Sequence, residues 1–224
     1  MKTKNLFVFV FTGLAGLANA ATIVTPTSAS STTGLSGRTM TEAINGSLLT
    51  STDPNVLNWT HGAADASSGD YWLSGNGAAT SGTEEITFTF SSPVTVGTIY
   101  IWNYHRDNTN WDDRALGSFD MEFTFDGGGT NTITGFQLSD IRTATLGEFI
   151  PTEALGFAAQ NNVTSIKLTN LQNLHQVYGS GAPDSDSDYL GVGEIRFDTA
   201  TIPEPATGVF AAFALSLGLL RRRR

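Results

Sequence analysis

The sequence contains no cysteine. That excludes disulfide cross-links, thiolate nucleophiles and zinc–thiolate centres, and leaves core packing or bound ions to hold the chain together. Basic residues are scarce too. Between Ala21 and the Pro203 region, six Lys and Arg face twenty Asp and Glu, a formal balance of −14. A field of that sign opposes nucleic acid and anionic lipid surfaces as partners, so no nucleic-acid binding is expected. It suits neutral or basic polymers and divalent cations. Histidine is limited to His61, His105 and His175, with no His-Glu-x-x-His run and no Gly-x-Ser-x-Gly elbow. Glu84–Glu85 and Asp112–Asp113 are adjacent acidic pairs. Neighbours on a strand point to opposite faces, which does not suit a paired-carboxylate site. No catalytic residues are therefore expected. A glycoside hydrolase stays as a distant alternative, needing two carboxylates from separate segments about 5–9.5 Å apart.

What is present is β-forming. Thr, Ser, Asn and Gly abound, charges are few and there are fourteen Phe, which favours an all-β chain. Residues 21–200 are enough for one domain with a real core. Glu85 to Phe90 alternates strictly, with Ile86, Phe88 and Phe90 on one face. Ser91-Ser92-Pro93 is expected to end that strand. Val96 to Tyr104 then reads as a central strand, apolar on both faces. Ser118 to Asp126 alternates again, Phe119, Met121, Phe123 and Phe125 against Asp120, Glu122 and Thr124. Asp126-Gly127-Gly128-Gly129 marks a turn, and Thr132 to Phe136 returns. Val163 to Leu168 and Leu190 to Asp198 complete the clear strands. Thr22 to Thr33 reads as an edge strand or lead-in, and Glu42 to Leu49 and Asp53 to Gly62 as loops. Short strands with long connections predict an antiparallel β-sandwich.

Both ends carry distinct patterns. Lys2 and Lys4 precede an apolar run from Leu6 to Ala18, and Ala18-Asn19-Ala20 supplies the small-x-small pattern read by signal peptidase. Residues 1–20 are therefore expected to be a cleaved signal peptide, since the run is shorter than the about 20 residues that a bilayer-spanning helix needs. At the other end Pro203-Glu204-Pro205 precedes an uncharged stretch, and Arg221, Arg222, Arg223 and Arg224 close the sequence. As a helix, Ala206 to Leu220 reaches roughly 22 Å, short of the about 30 Å hydrocarbon core. The arginines would stay on the cytoplasmic side, placing the domain outside the inner membrane. Pro203 and Pro205 keep the helix from running back into the domain. Residues 201–224 resemble the PEP-CTERM sorting signal of Gram-negative bacteria, with Ala206 where Ser is commoner. That resemblance implies processing by an exosortase at the inner membrane and delivery to the cell surface or extracellular matrix. The alternative is an ordinary tail anchor.

A second resemblance runs through the middle of the chain. Ala43-Ile44-Asn45-Gly46, Tyr71-Trp72-Leu73-Ser74, Pro93-Val94-Thr95-Val96, Ile99 to Tyr104, Phe123 to Gly127 and Gly193 to Phe197 occur in order. Together they are similar to the discoidin-like, galactose-binding-like domains. The resemblance implies a jelly roll, ligand contacts from loops at one end of the sandwich, and a structural Ca²⁺. The matching metal positions are Asn45 and Glu194, with Asp53 as a third, and the alternative is that Glu194 pairs with Arg196 or caps a neighbouring strand. Asp184, Asp186 and Asp188 form a further acidic run that lacks the glycine and closing Glu of an EF-hand loop, and reads better as solvated. In and beside the loop Asn103 to Gly117 after the central strand, Trp102, Tyr104 and Trp111 mix with Asn103, His105, Arg106, Asn108, Asn110 and Arg114. Aromatic faces beside forked polar donors are what a sugar surface requires. The expected ligand contacts are Asn103, His105, Arg106, Trp111 and Arg114, with a polysaccharide as partner. The competing reading makes Trp102 and Tyr104 core, and the protein a structural matrix component without a small ligand.

Overall fold

The computed structural model describes residues 22–50, 53–62, 69–105, 109–143, 149–179 and 188–199. The expected signal helix and sorting tail lie outside them, as do Asp184 and Asp186. The fold is all-β. In chain order the strands are β1 (Ile23–Val24), β2 (Ser28–Ser31), β3 (Leu49–Thr50), β4 (Thr60–Gly62), β5 (Trp72–Leu73) and β6 (Ile86–Asn103). They continue with β7 (Leu116–Phe125), β8 (Thr130–Gln137), β9 (Phe149–Pro151), β10 (Glu153–Asn173) and β11 (Gly191–Asp198). The main sheet runs β1-β11-β6-β10-β7-β8, with β2 added to β6 and β5 to β11, and every pairing is antiparallel. A smaller sheet joins β3, β4 and β9. Its first two strands lie in segments expected to be loops, too short to show a period.

Alternation builds β7 as expected. Phe119, Met121 and Phe123 are buried, while Asp120, Glu122 and Thr124 are half-exposed. In β6, Ile86, Phe88 and Phe90 face inward, and from Val96 onward every residue is buried, Ile99 and Ile101 in the main core on one face and Tyr100 and Trp102 against Val56 and Trp59 on the other. The strand does not stop at Ser91–Pro93. Val94 pairs with Val163 and Thr89 with Ser165, so residues 90–93 oppose the single residue Thr164. Pro93 therefore falls in a bulge, where the ladder demands no N–H from it. β10 likewise extends far beyond the expected Val163 to Leu168. Its bulges and the left-handed Asn162 (φ 59°) and Asn170 (φ 51°) break the two-residue period that would have revealed it.

The bends bring distant rings together. Phe88 and Phe90 of β6 meet Phe197 of β11 edge-on, with centroids 5.2 and 5.7 Å apart. Phe119 stacks on Phe136 at 5.3 Å, and Phe123 tilts against Phe157 at 5.4 Å. Trp102 is fully buried, stacked on Trp59 at 6.2 Å, and its indole N–H donates to the Trp59 carbonyl at 3.1 Å. That carbonyl also accepts the Thr152 hydroxyl, which ties the smaller sheet's edge to β6. Among the described residues no helix is long and apolar enough to cross a membrane.

Candidate functional site

The connection between β6 and β7 is pinched at its base by one side chain. Asn103, the last residue of β6, is almost fully buried. Its carboxamide oxygen accepts from the backbone N–H of Tyr104 and of Leu116, both at 2.9 Å. Its amide nitrogen donates to the Leu116 carbonyl at 2.6 Å. The side chain thus acts as a rung of ladder between strands too far apart to pair directly. Beside it, a Cβ on Gly191 would stand 2.8 Å from the Tyr104 ring, so only glycine lets β11 pass this close. Tyr104 in turn packs edge-on against Tyr71 at 5.1 Å.

Above this neck the connection winds through a 3-10 turn, Thr109–Arg114, that directs its charges inward. Asp112 lies 3.0 Å from His105 Nδ1, and both are buried. A carboxylate only accepts, so the ring proton sits on Nδ1 and Asp112 fixes the ring's orientation. Asp113 points elsewhere, to Arg142 Nη1 at 2.8 Å. Arg142 also grips Asp140 through two nitrogens, each at 2.9 Å, and donates to the Gly179 carbonyl at 2.6 Å. That fork holds the Asp140 carboxyl below its ordinary range. The Arg114 guanidinium lies 4.7 Å over the Tyr189 ring, and Arg38 lies 4.9 Å over Tyr71. One end of the sandwich therefore concentrates cations on aromatic faces, with carboxylates neutralising them.

The expected ligand residues are distributed unevenly. Asn103 is spent on backbone groups and positions the loop rather than facing outward. His105 and Arg114 are brought to the same end, 8% and 4% exposed. Arg106 and Asn108 lie outside the described residues; Asn110 and Trp111 are placed by the backbone of the turn alone. Trp102 and Tyr104 are core. Arg142, Asp140, His175 and Tyr189 join this end from segments remote in sequence, and no local pattern announces them. Asp112 and Asp113 aim at different partners, and Glu84 is buried on Thr33 while Glu85 faces Lys167. Neither adjacent pair makes a two-carboxylate site.

The three expected calcium ligands do not converge. Asn45 is exposed and turned into its own loop, its oxygen accepting from Ser47 N–H and its nitrogen donating to Glu42, both at 2.6 Å. Asp53 caps its own turn, accepting from Asn55 N–H at 2.7 Å and from the Asn58 amide at 3.0 Å. These bonds hold its carboxyl below the usual range. Only Glu194 faces the buried junction between residues 40–46 and β11, where it accepts from Gly46 N–H at 3.2 Å and pairs with Arg196. Among the described residues no group of three or more His, Asp or Glu is arranged to hold a metal ion. The donor set does not fit Ca²⁺, which takes six to eight oxygens.

Close to this junction His61 is 1% exposed, with Nδ1 2.7 Å from the Gly62 carbonyl. Burial pushes its pKa below the ordinary value, so the folded ring stays neutral. Unfolded His61 takes up a proton as pH falls below about 6.5, and the folded state loses up to about 1.4 kcal/mol per pH unit there. Melting at about pH 7.5 and about pH 5 should show a smaller acid loss in His61→Gln than in the wild type. Equal losses contradict the assignment.

No protein-family model matches the chain, and no curated protein matches it in sequence. Solved structures resemble it in shape. A family 32 carbohydrate-binding module from C. perfringens NanJ, in complex with galactose, is 13% identical, covering 76% of this chain and 92% of that one, with a TM-score of 0.46. A fucose-binding module from Streptococcus pneumoniae is 15% identical over 77% of this chain and 91% of that one, TM-score 0.46. The lectin domain of lectinolysin, complexed with Lewis B antigen, is 14% identical over 78% and 93%, TM-score 0.48. A likeness this faint carries no ligand across to this chain.

Proposed function

We propose that the chain is an exported, non-catalytic, carbohydrate-binding β-sandwich, delivered to the surface or extracellular matrix of a Gram-negative bacterium by its C-terminal sorting signal. The observation that carries the binding reading is the end built around the 103–117 connection. There Asn103 pins the base, Asp112 orients His105, and arginines lie on tyrosine faces. At this end the half-buried Arg38, Arg142 and Tyr189 bring planar donors and aromatic carbon to fixed positions near the surface, as recognition of a hydroxyl-rich ligand requires. Screening the purified protein on a glycan array tests the reading. Retention of a glycan supports it, and a blank array overturns it. The burial of His105 and Arg114 favours a second reading, a matrix protein whose charged end is only structural.

Export and sorting rest on the terminal motifs. Signal peptidase, exosortase and the inner membrane are the partners in that pathway. Mass spectrometry of protein taken from the envelope should find a start at Ala21 and no Arg221 to Arg224. An intact arginine tail contradicts exosortase processing.

A further inference from the structure

We propose that the guanidinium of Arg196 is the resident cation at the junction of residues 40–46 and β11, and that it holds this junction closed with no divalent metal. Glu194 and Arg196 stand two apart on β11, hence on one face of the strand. Both are buried. The oxygens gathered there are the Glu194 carboxylate and the Ile44 and Ile195 carbonyls, an array of acceptors that calls for positive charge. Arg196 supplies it. Its Nη1 donates to Ile44 O at 2.6 Å and to Ile195 O at 3.2 Å, and pairs with Glu194. The other Glu194 oxygen takes the Gly46 N–H.

The turn is shaped around the guanidinium. Gly46 has φ +78°, and a Cβ there would stand 3.2 Å from Arg196 Nη2, so the residue is glycine for both backbone and space. A calcium ion on Glu194 and Ile44 O would share its two ligands with a buried guanidinium. Two cations on one carboxylate, away from water, repel strongly. Asn45 and Asp53, which the resemblance would bring to such an ion, are engaged in their own turns. His61 lies close by and feels the charges of both Asp70 and Arg196. The proposal stands apart from the sugar-binding reading and does not depend on it.

The test is the melting of the full-length protein with excess calcium and with chelator. The melting temperature should be the same in both, whereas a metal bound only to the folded state would raise it with concentration. Arg196→Met should lower the melting temperature by at least about 6 °C, because Glu194 is left buried without a counter-ion. Glu194→Gln/Arg196→Met should recover part of that loss, since the double variant strands no charge. A chelator-induced drop in the wild type overturns the proposal. So does a double variant no more stable than Arg196→Met. If Arg196→Met does not fold at all, a folded double variant carries the same information.

Discussion

Trp102→Ala should remove about 3–5 kcal/mol of folding stability, the range for truncating a buried large aromatic. The magnitude follows from where the ring sits. It is fully buried near the end of β6, stacked on Trp59, with Val56 and Tyr100 in the same small cluster. Its N–H holds the Trp59 carbonyl, which the Thr152 hydroxyl also holds. Truncation opens a cavity between the main sheet and the smaller sheet, where the surrounding backbone is tied and can collapse little. For a domain of this size, such a loss lowers the melting temperature by roughly 6–20 °C. Thermal denaturation of the two proteins measures it directly. A shift under about 2 °C would mean that the ring is not the packed wedge described.

Asn103→Ala should cost about 3 kcal/mol or more. Three buried backbone groups, the N–H of Tyr104 and both polar groups of Leu116, lose their partner at once. Each unsatisfied buried group costs about 1–3 kcal/mol, with relaxation of the connection returning part of it. The effect should extend beyond stability. With its neck released, the 103–117 connection no longer holds His105 against Asp112, and glycan binding should weaken although the Asn103 amide is spent on backbone groups. Asn103→Asp discriminates, because a carboxylate can still accept from the two N–H groups but cannot donate to the Leu116 carbonyl. The buried charge beside that carbonyl adds a cost that Ala does not carry, so Asn103→Asp should be no more stable than Asn103→Ala at neutral pH. Equal stability of wild type and Asn103→Ala, read from urea unfolding, contradicts the role.

These expectations mark what the sequence made legible. The strands were readable where the two-residue period is clean, in β7 and the first half of β6. They were unreadable where bulges interrupt it: Pro93 marked the bulge and not the end of the strand, and β10 hides its first ten residues behind shifts of register. The charged end was half legible. Aromatics and amides stood together between Trp102 and Arg114, but whether an amide faces ligand or backbone depends on Leu116, thirteen residues on. The ion pair of Asp113 with Arg142 joins residues 29 apart, which no local pattern encodes. Glu194 and Arg196 were the opposite case. Two apart on a predicted strand, they share a face, and their pairing was the alternative that stood beside the calcium reading of Glu194.

The central claim is that the 103–117 connection recognises a sugar, and the most direct test is titration of a retained glycan into wild type and Trp111→Ala. Trp111 lies on the turn whose acidic residues tie it to the end of the sandwich. A stacking aromatic contributes about 0.5–1.5 kcal/mol beyond the area it buries, and 1.4 kcal/mol is tenfold in affinity. The account predicts binding by the wild type, weakened about tenfold or more in Trp111→Ala, with both proteins melting within about 2 °C of each other. Unchanged affinity in Trp111→Ala, its unfolding, or a wild type that retains no glycan would contradict the account.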